Sequence, residues 1–334
     1  MEIGSAMSWA VILLAAFVAV LGASALLTRR LVRQAERDYP PTGSWVGLDA
    51  GRLHYLESGE GPPVVLIHGL RGSSYDFEVS ISAALARRFH VVAFDRPGHG
   101  YSDPLPDDVH SLAAEAAQLH AAVRKLGLGR PLLVAYSLGA AVAMAYAATY
   151  PDDVAGVVTI SGHVLPYRVH VGPLAFFATR PWIAGVSSNT LLVPVGRLVG
   201  RAILRKACAP RPVPPWYQRV ALSMALRPRT FRFAPAELVG SARELRQLAE
   251  RYAQVSVPVT VLTGHGDVIS RSSEARHFHR RLPNANLIVV PDGGHALHAT
   301  HPDLVVAAVE GAGARTLSSG TGGSVYGQVA GAAS

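Results

Sequence analysis

The chain has 334 residues, 49% of them hydrophobic and only 16% charged, with 32 Gly and 23 Pro. Such a length fits one large domain or two small ones; the composition excludes bulk disorder, and unperiodic Gly far below one third excludes a collagen-like fibre. The formal net charge is +8, and a single cysteine, Cys208, excludes an internal disulfide, a multi-cysteine zinc site and a redox pair.

Residues 6–27 carry no charged side chain. As a helix this run would be about 33 Å long, enough to cross a hydrocarbon core of about 30 Å. It is terminal and apolar on all faces, which argues against a buried core helix. A cleaved signal peptide is the closer rival, since Ala23-Ser24-Ala25 offers a small-x-small site. However, Glu2 and no Lys or Arg precede the run, and the run exceeds a usual signal core. We read a retained transmembrane helix. Arg29, Arg30, Arg33 and Arg37 follow it, and the positive-inside rule then places the remainder on the cytoplasmic side.

Residues 28–43 read as a polar, Pro-punctuated linker. Trp45–Leu48 and Arg52–Glu57 form a predicted hairpin. From there short apolar runs alternate with helical spacing. The predicted strands are Val64–His68, Val91–Phe94, Leu132–Ala135, Val154–Ile160, Val259–Thr263 and Leu287–Val290. Helices are predicted over Phe77–Arg88, Leu112–Leu126, Leu138–Tyr150, Ser273–Leu282 and Pro302–Val309. This alternation implies right-handed crossovers and an α/β fold with a mostly parallel sheet covered by helices on both faces. In such a sheet, chemistry belongs at the C-terminal strand ends. The core would comprise residues 44–163 and 251–315, interrupted by a cap over 164–250 with several short helical patterns. Residues 316–334, rich in Gly, Ser and Ala, read as a flexible tail.

Between Val164 and Glu250 lie thirteen basic and three acidic residues, which puts +10 in the cap and leaves −2 for the rest. Phe176, Phe177, Trp182, Trp216, Phe231 and Phe233 are interleaved with the charge. Beside an anchor, this mixture suits a surface resting on anionic headgroups. A solvated cap in an Arg-rich chain would look the same. No nucleic-acid motif accompanies the charge, so no such partner is expected.

The strongest chemical signal is Ala135-Tyr136-Ser137-Leu138-Gly139. A strand enters a small-x-Ser-x-small turn and leaves as a helix, the nucleophile-elbow pattern, with Ala135 replacing the usual first Gly. The alternative for Ser137 is a helix N-cap. His68-Gly69-Leu70-Arg71-Gly72 follows an earlier strand and can present a backbone N–H to a developing oxyanion. Leu70 and Leu138 are the expected donors, with Ala135, Gly139, His68 and Gly69 supporting the elbow and loop. Asp95 and Arg96 in Asp95-Arg96-Pro97-Gly98-His99-Gly100 read as a bracing turn, and His99 as a loop residue. A serine needs a base held by a third group. Gly293-Gly294-His295 follows the last strand, which makes His295 the candidate base, with His298 as the near rival. Asp267, just after Val259–Thr263, is the candidate orienting acid; Asp292 is too close along the chain to meet the ring easily. The order Ser137, Asp267, His295 is the one this architecture demands. Nothing like H-E-x-x-H appears, so no metal site is expected.

Taken together, His68-Gly69, Asp95-Arg96-Pro97-Gly98-His99-Gly100, Ala135-Tyr136-Ser137-Leu138-Gly139, Gly264-His265-Gly266-Asp267 and Gly294-His295 resemble the α/β-hydrolase superfamily, over about 45–161 and 257–309. The resemblance implies a serine nucleophile, a catalytic triad, a backbone oxyanion hole, a variable substrate-selecting lid and no cofactor. Anchor, elbow and cap together look most like membrane-bound monoacylglycerol lipase-like members. Ser137 stands where the epoxide hydrolases and haloalkane dehalogenases of this fold use Asp, which removes those branches.

The expected function is a membrane-anchored serine hydrolase of lipophilic carboxylic esters. The same triad could instead serve C–C, lactone, amide or thioester hydrolysis, or perhydrolysis. A rival of another class is a non-catalytic anchored module that binds a ligand or protein through its basic cap.

Overall fold

The computed structural model describes residues 2–106, 111–167, 181–190 and 192–319. Arg168, Phe176, Phe177 and Arg180 of the expected cap, and the expected tail beyond Ser319, lie outside the described residues, as do the side chains of Trp182, Phe231 and Arg232.

Eight strands form one sheet: β1 (Ser44–Leu48), β2 (Gly51–Ser58), β3 (Pro63–Ile67), β4 (His90–Phe94), β5 (Leu132–Tyr136), β6 (Gly156–Ile160), β7 (Val259–Gly264) and β8 (Ala285–Val290). Their order is β1-β2-β4-β3-β5-β6-β7-β8. The hairpin β1–β2 and the pair β2–β4 are antiparallel; every later pair is parallel. The register β3–β5 sets Val64 beside Leu132, and β7–β8 sets Val259 beside Ala285. The C-terminal ends of β3, β5, β7 and β8 therefore share one edge.

The central strands are continuous apolar runs because both faces are covered. In β3, Val65 and Ile67 enter one core with Leu119, Val142 and Phe278, whereas Val64 and Leu66 enter the other with Phe77, Val305 and Val309. The period of two in a pleated strand produces this division. Leu112–Lys125, Gly139–Thr149 and Ser272–His279 cover the first face. A helical segment over 75–85 and the helix Pro302–Ser319 cover the second.

Three boundaries differ from expectation. The N-terminal helix runs from Glu2 to Asp38, so residues 28–38 are helix and not linker. They contain no Gly or Pro and are mostly good helix formers; Pro40 and Pro41 follow the end. Thr28 and Ala35 are buried against the body, whereas Trp9, Leu13 and Phe17 are exposed. The last helix continues past Val309 and into the expected tail, to Ser319. Gly311 and Gly313 lower helix propensity there, but the Phe89 ring occupies the space beside Gly313 and leaves no room to spare for a side chain. The segment expected over Phe77–Arg88 is helical over 75–85 and passes through a π turn at Glu78–Ser82.

Between β6 and β7 the described residues form four α-helices, Pro181–Asn189, Leu192–Cys208, Pro215–Met224 and Pro228–Glu250, and a short 3-10 turn at Tyr252–Gln254. Two are long, where several short ones were expected. Pro235 lies inside the longest.

Candidate active site

The turn after β5 is strained. Ser137 has φ +51°, a left-handed conformation that costs a non-Gly residue about 1–3 kcal/mol. Hydrogen bonds hold it there: the Ser137 N–H donates to the Ile160 carbonyl at 3.0 Å, and the His163 N–H donates to the Ser137 carbonyl at 2.9 Å. Gly139 begins the following helix with no room for a side chain. A Cβ at this position would stand 2.4 Å from the His68 carbonyl oxygen and 2.6 Å from that of Ile67. Both obstacles are backbone, so the strand–helix contact itself would have to open. Gly139→Ala is expected to cost about 1–3 kcal/mol, as overpacking does, and to lower activity by displacing Ser137; thermal melting alongside turnover checks this.

His295 arrives from a loop that is itself clamped. The His295 and Ala296 amides both donate to the Ala207 carbonyl, at 2.7 and 3.0 Å. The end of Leu192–Cys208 thus fixes the height of the imidazole. The Gly266 N–H donates to the Gly293 carbonyl at 2.9 Å, locking the two loops after β7 and β8 together. Gly264 permits this crossing, since a Cβ there would lie 2.3 Å from the carbonyl oxygens of Gly293 and Gly294.

The three predicted side chains meet at the shared strand edge. His295 Nδ1 lies 2.9 Å from Asp267 Oδ2, and His295 Nε2 lies 3.0 Å from Ser137 Oγ. An ionised carboxylate only accepts, so Nδ1–H donates to Asp267 and Nε2 is free to accept from the serine hydroxyl. The other Asp267 oxygen accepts from the amides of Ile269 and Ser270, at 2.8 and 3.0 Å. Burial alone would raise the Asp267 carboxyl; the His295 hydrogen bond and charge, then these two amides, outweigh it and hold it below its ordinary value.

The rival residues sit elsewhere. His298 is fully buried behind Tyr136, with ring centroids 4.3 Å apart. Burial, with the nearby His295, pushes it down to about 3. Asp292 is paired at the surface with Arg211 and with His301. Asp95 accepts from the amides of Ser74 and Tyr101 and from His54. His68 is neutral, pushed down to about 3 chiefly by burial. Its Nδ1–H donates to the Gly69 carbonyl, while Nε2 accepts from the Arg96 amide. Gly69 lies against Ser137, with 2.9 Å from an added Cβ to that side chain's own Cβ. Leu70 lines the cavity beside Ser137, and Leu138 directly follows the serine. Ala135 is fully buried.

Several neighbours escaped sequence reasoning. Glu237, on Pro228–Glu250, is buried against Arg96, which also donates to Glu115 at 2.9 Å. His99 Nε2 lies 3.1 Å from Glu237. Arg96 and His99 hold the Glu237 carboxyl well below its usual range against the effect of burial. Breaking a buried pair of this kind strands a charge and typically costs about 3–5 kcal/mol, so this network binds the inserted helix to the core. His163 stands beside the site with Nδ1 3.3 Å from Ser270 Oγ. The Ser270 partner of His163 is distant in sequence, as Arg96 is from Glu237, and no local motif marks Glu115, Glu237 or His163.

Above Ser137 and His295 lies a cavity of about 380 Å³. Its walls are mostly aliphatic, including Leu192, Val195, Val199, Ile203, Leu204 and Leu222. The arrangement offers a hydroxyl, a base with a fixed tautomer and an anionic orienter beneath an apolar chamber. Among the described residues no group of three or more His, Cys, Asp or Glu is placed to hold a metal ion.

A family model described as alpha/beta hydrolase fold matches residues 62–302. A 2-(acetamidomethylene)succinate hydrolase of Mesorhizobium japonicum is 29% identical over 279 residues, covering 78% of this chain and 92% of that protein. A putative carbamate hydrolase, RutD, of Escherichia coli is 28% identical over 261 residues, covering 73% and 84%. The crystal structure of a membrane phospholipase A, a bacterial virulence factor, superposes with a TM-score of 0.65 at 22% identity, over 94% of this chain and 99% of that one; the likeness is one of fold.

Proposed function

The chain belongs to the α/β-hydrolase family, and from that premise we propose that it is a membrane-anchored serine hydrolase of lipophilic carboxylic esters. The observation that carries this reading is the hydrogen-bonded line Asp267–His295–Ser137 opening into an aliphatic cavity. Ser137 Oγ attacks the ester carbonyl while His295 Nε2 takes its proton. The Leu70 and Leu138 N–H groups stabilise the oxyanion. His295 then protonates the leaving alcohol, and a water activated by the same nitrogen releases the acid. No cofactor is needed.

Membrane anchoring rests on the helix Glu2–Asp38, whose stretch Trp9–Asp38 is long and apolar enough to cross a bilayer. We place the catalytic body on the cytoplasmic side, from Arg29, Arg30, Arg33 and Arg37. The Thr190 carbonyl accepts from the Ser24 and Thr28 hydroxyls of this helix. Two residues later begins Leu192–Cys208, in which Val195 and Val199 are exposed and also line the cavity, and Leu198 is 72% exposed. Arg197, Arg201, Arg205 and Lys206 share this helix. An apolar stripe with basic neighbours, next to the anchor, suits the headgroup region of an anionic bilayer. We therefore take 164–250 as a cap whose mouth faces the membrane, and no nucleic-acid partner is proposed.

Removing residues 1–22 is expected to shift the protein from the carbonate-washed membrane pellet to the soluble fraction, with ester hydrolysis retained; a truncated protein that still sediments with washed membranes contradicts the anchor. The reaction itself is tested with p-nitrophenyl esters from acetyl to palmitoyl and detergent-solubilised protein. Turnover with an optimum at medium or long acyl chains is expected. Folded protein that turns over none of them rejects the ester reading. The second reading, amide or carbamate hydrolysis by the same three residues, is favoured by the names of the two relatives above.

A further inference from the structure

The loop after β6 carries a histidine that the proposed mechanism does not use. The backbone N–H of His163 donates to the Ser137 carbonyl at 2.9 Å, which ties this loop to the turn of the nucleophile. Its ring reaches the other end of the catalytic line, with Nδ1 3.3 Å from Ser270 Oγ. Ser270 is buried, and its N–H donates to Asp267 Oδ1 at 3.0 Å. One serine thus joins the imidazole of His163 to the carboxylate that meets His295.

The ring is held on its far side as well. It packs edge-on against Tyr167, with centroids 4.3 Å apart, and the Tyr167 hydroxyl donates to the Leu238 carbonyl of Pro228–Glu250 at 2.9 Å. The second ring nitrogen, Nε2, is buried without a hydrogen-bond partner among the described residues. A buried polar atom left unpaired costs stability, so packing alone is a poor reason for a histidine here. His163 does not line the cavity above Ser137; any effect it has on the reaction passes through its neighbours.

Resting on the serine-hydrolase reading, we propose that His163 is a positioning residue which, through Ser270, fixes the loop 267–271 and so the angle at which the Asp267 carboxylate meets His295. The loop needs such a brace. Val268 and Ile269 are exposed, so packing holds this stretch weakly, and Arg271 stands at φ +42°, a strained conformation for a residue with a side chain. The ring also suits the charge that the reaction creates. Burial, with the nearby His295, pushes it down to about 4 against the pull of Asp267. It is therefore neutral at pH 7 and does not oppose the imidazolium that forms on His295.

The test follows p-nitrophenyl decanoate hydrolysis against pH with detergent-solubilised full-length protein, active sites being counted with a fluorophosphonate in every preparation. His163→Ala keeps the backbone link to Ser137 and removes only the ring. It is expected to lower kcat about tenfold, as stranding a buried polar group does, with KM little changed. The acid-side midpoint of its kcat/KM profile moves to lower pH, because a misaligned carboxylate supports the imidazolium less. His163→Asn, whose amide reaches the place of Nδ1, restores most of the loss. Ser270→Ala loses as much as His163→Ala, and the double variant loses no more, since both remove one contact. Wild-type kcat with an unmoved profile in either single variant, losses that multiply in the double variant, or a full loss in His163→Asn overturns the proposal. If His163→Ala does not fold, Ser270→Ala decides by the same kcat and the same midpoint. A wild type that neither labels nor hydrolyses the ester fails at the reading beneath, and the positioning role falls with it.

Discussion

Ser137→Ala should lower kcat for ester hydrolysis by about 10⁶-fold, to the level supported by binding and oxyanion donors alone. The size follows from the geometry. Ser137 Oγ is the hydroxyl that His295 Nε2 reaches, at 3.0 Å, and it stands on a strained turn whose backbone is held from both sides. Alanine fits the same turn, so the loss should come without loss of fold. Circular dichroism and melting temperature should match the wild type, while single-turnover and steady-state kinetics both collapse. A variant that retains a tenth of the activity would show that another group attacks the carbonyl.

Asp267→Asn should lower kcat by about 10⁴-fold. The exchange of carboxylate for amide is not passive. An amide placed with its NH₂ toward His295 favours the tautomer that puts the proton on Nε2, where it can no longer accept from Ser137. Asp267 also orders its own loop through the Ile269 and Ser270 amides, and the carbonyl of an asparagine can preserve those contacts. KM should therefore change far less than kcat. Because Asp267 is held below the ordinary carboxylate range, it stays ionised across neutral pH, and the wild-type rate near neutrality should not follow its titration. A loss shared equally between KM and kcat would instead indicate a collapsed pocket.

Much of the architecture was legible because buried parallel strands read as short apolar runs. Val64–Ile67, Leu132–Ala135 and Val259–Thr263 are of this kind, and each strand end delivers a residue to the site. Ser137 was legible because small residues must flank a tight turn, and Gly139 shows why, pressed against the His68 and Ile67 carbonyls. The order of the five motifs also led to the family that the matched region establishes.

Other features were hidden because they arise from partners far apart in the chain. Glu237 is 141 residues from Arg96, and its role depends on how a long helix lies over the core. Asp76 reads locally as a helix-start acid, a common place for one; only the fold turns it toward the cavity. The extension of the first helix to Asp38 was obscured by its change from wholly apolar to polar, because the second part is amphipathic and packs on the body through Thr28 and Ala35.

Covalent labelling reads out whether Ser137 is an activated nucleophile. Detergent-solubilised full-length protein is treated with a fluorophosphonate, and intact mass and peptide mapping locate the adduct. One adduct per chain is expected, on Ser137, absent from Ser137→Ala and formed far more slowly in Asp267→Asn. Folded wild-type protein that takes up no label, or takes it up equally well without Ser137, would contradict it and leave the anchored binding module as the better description.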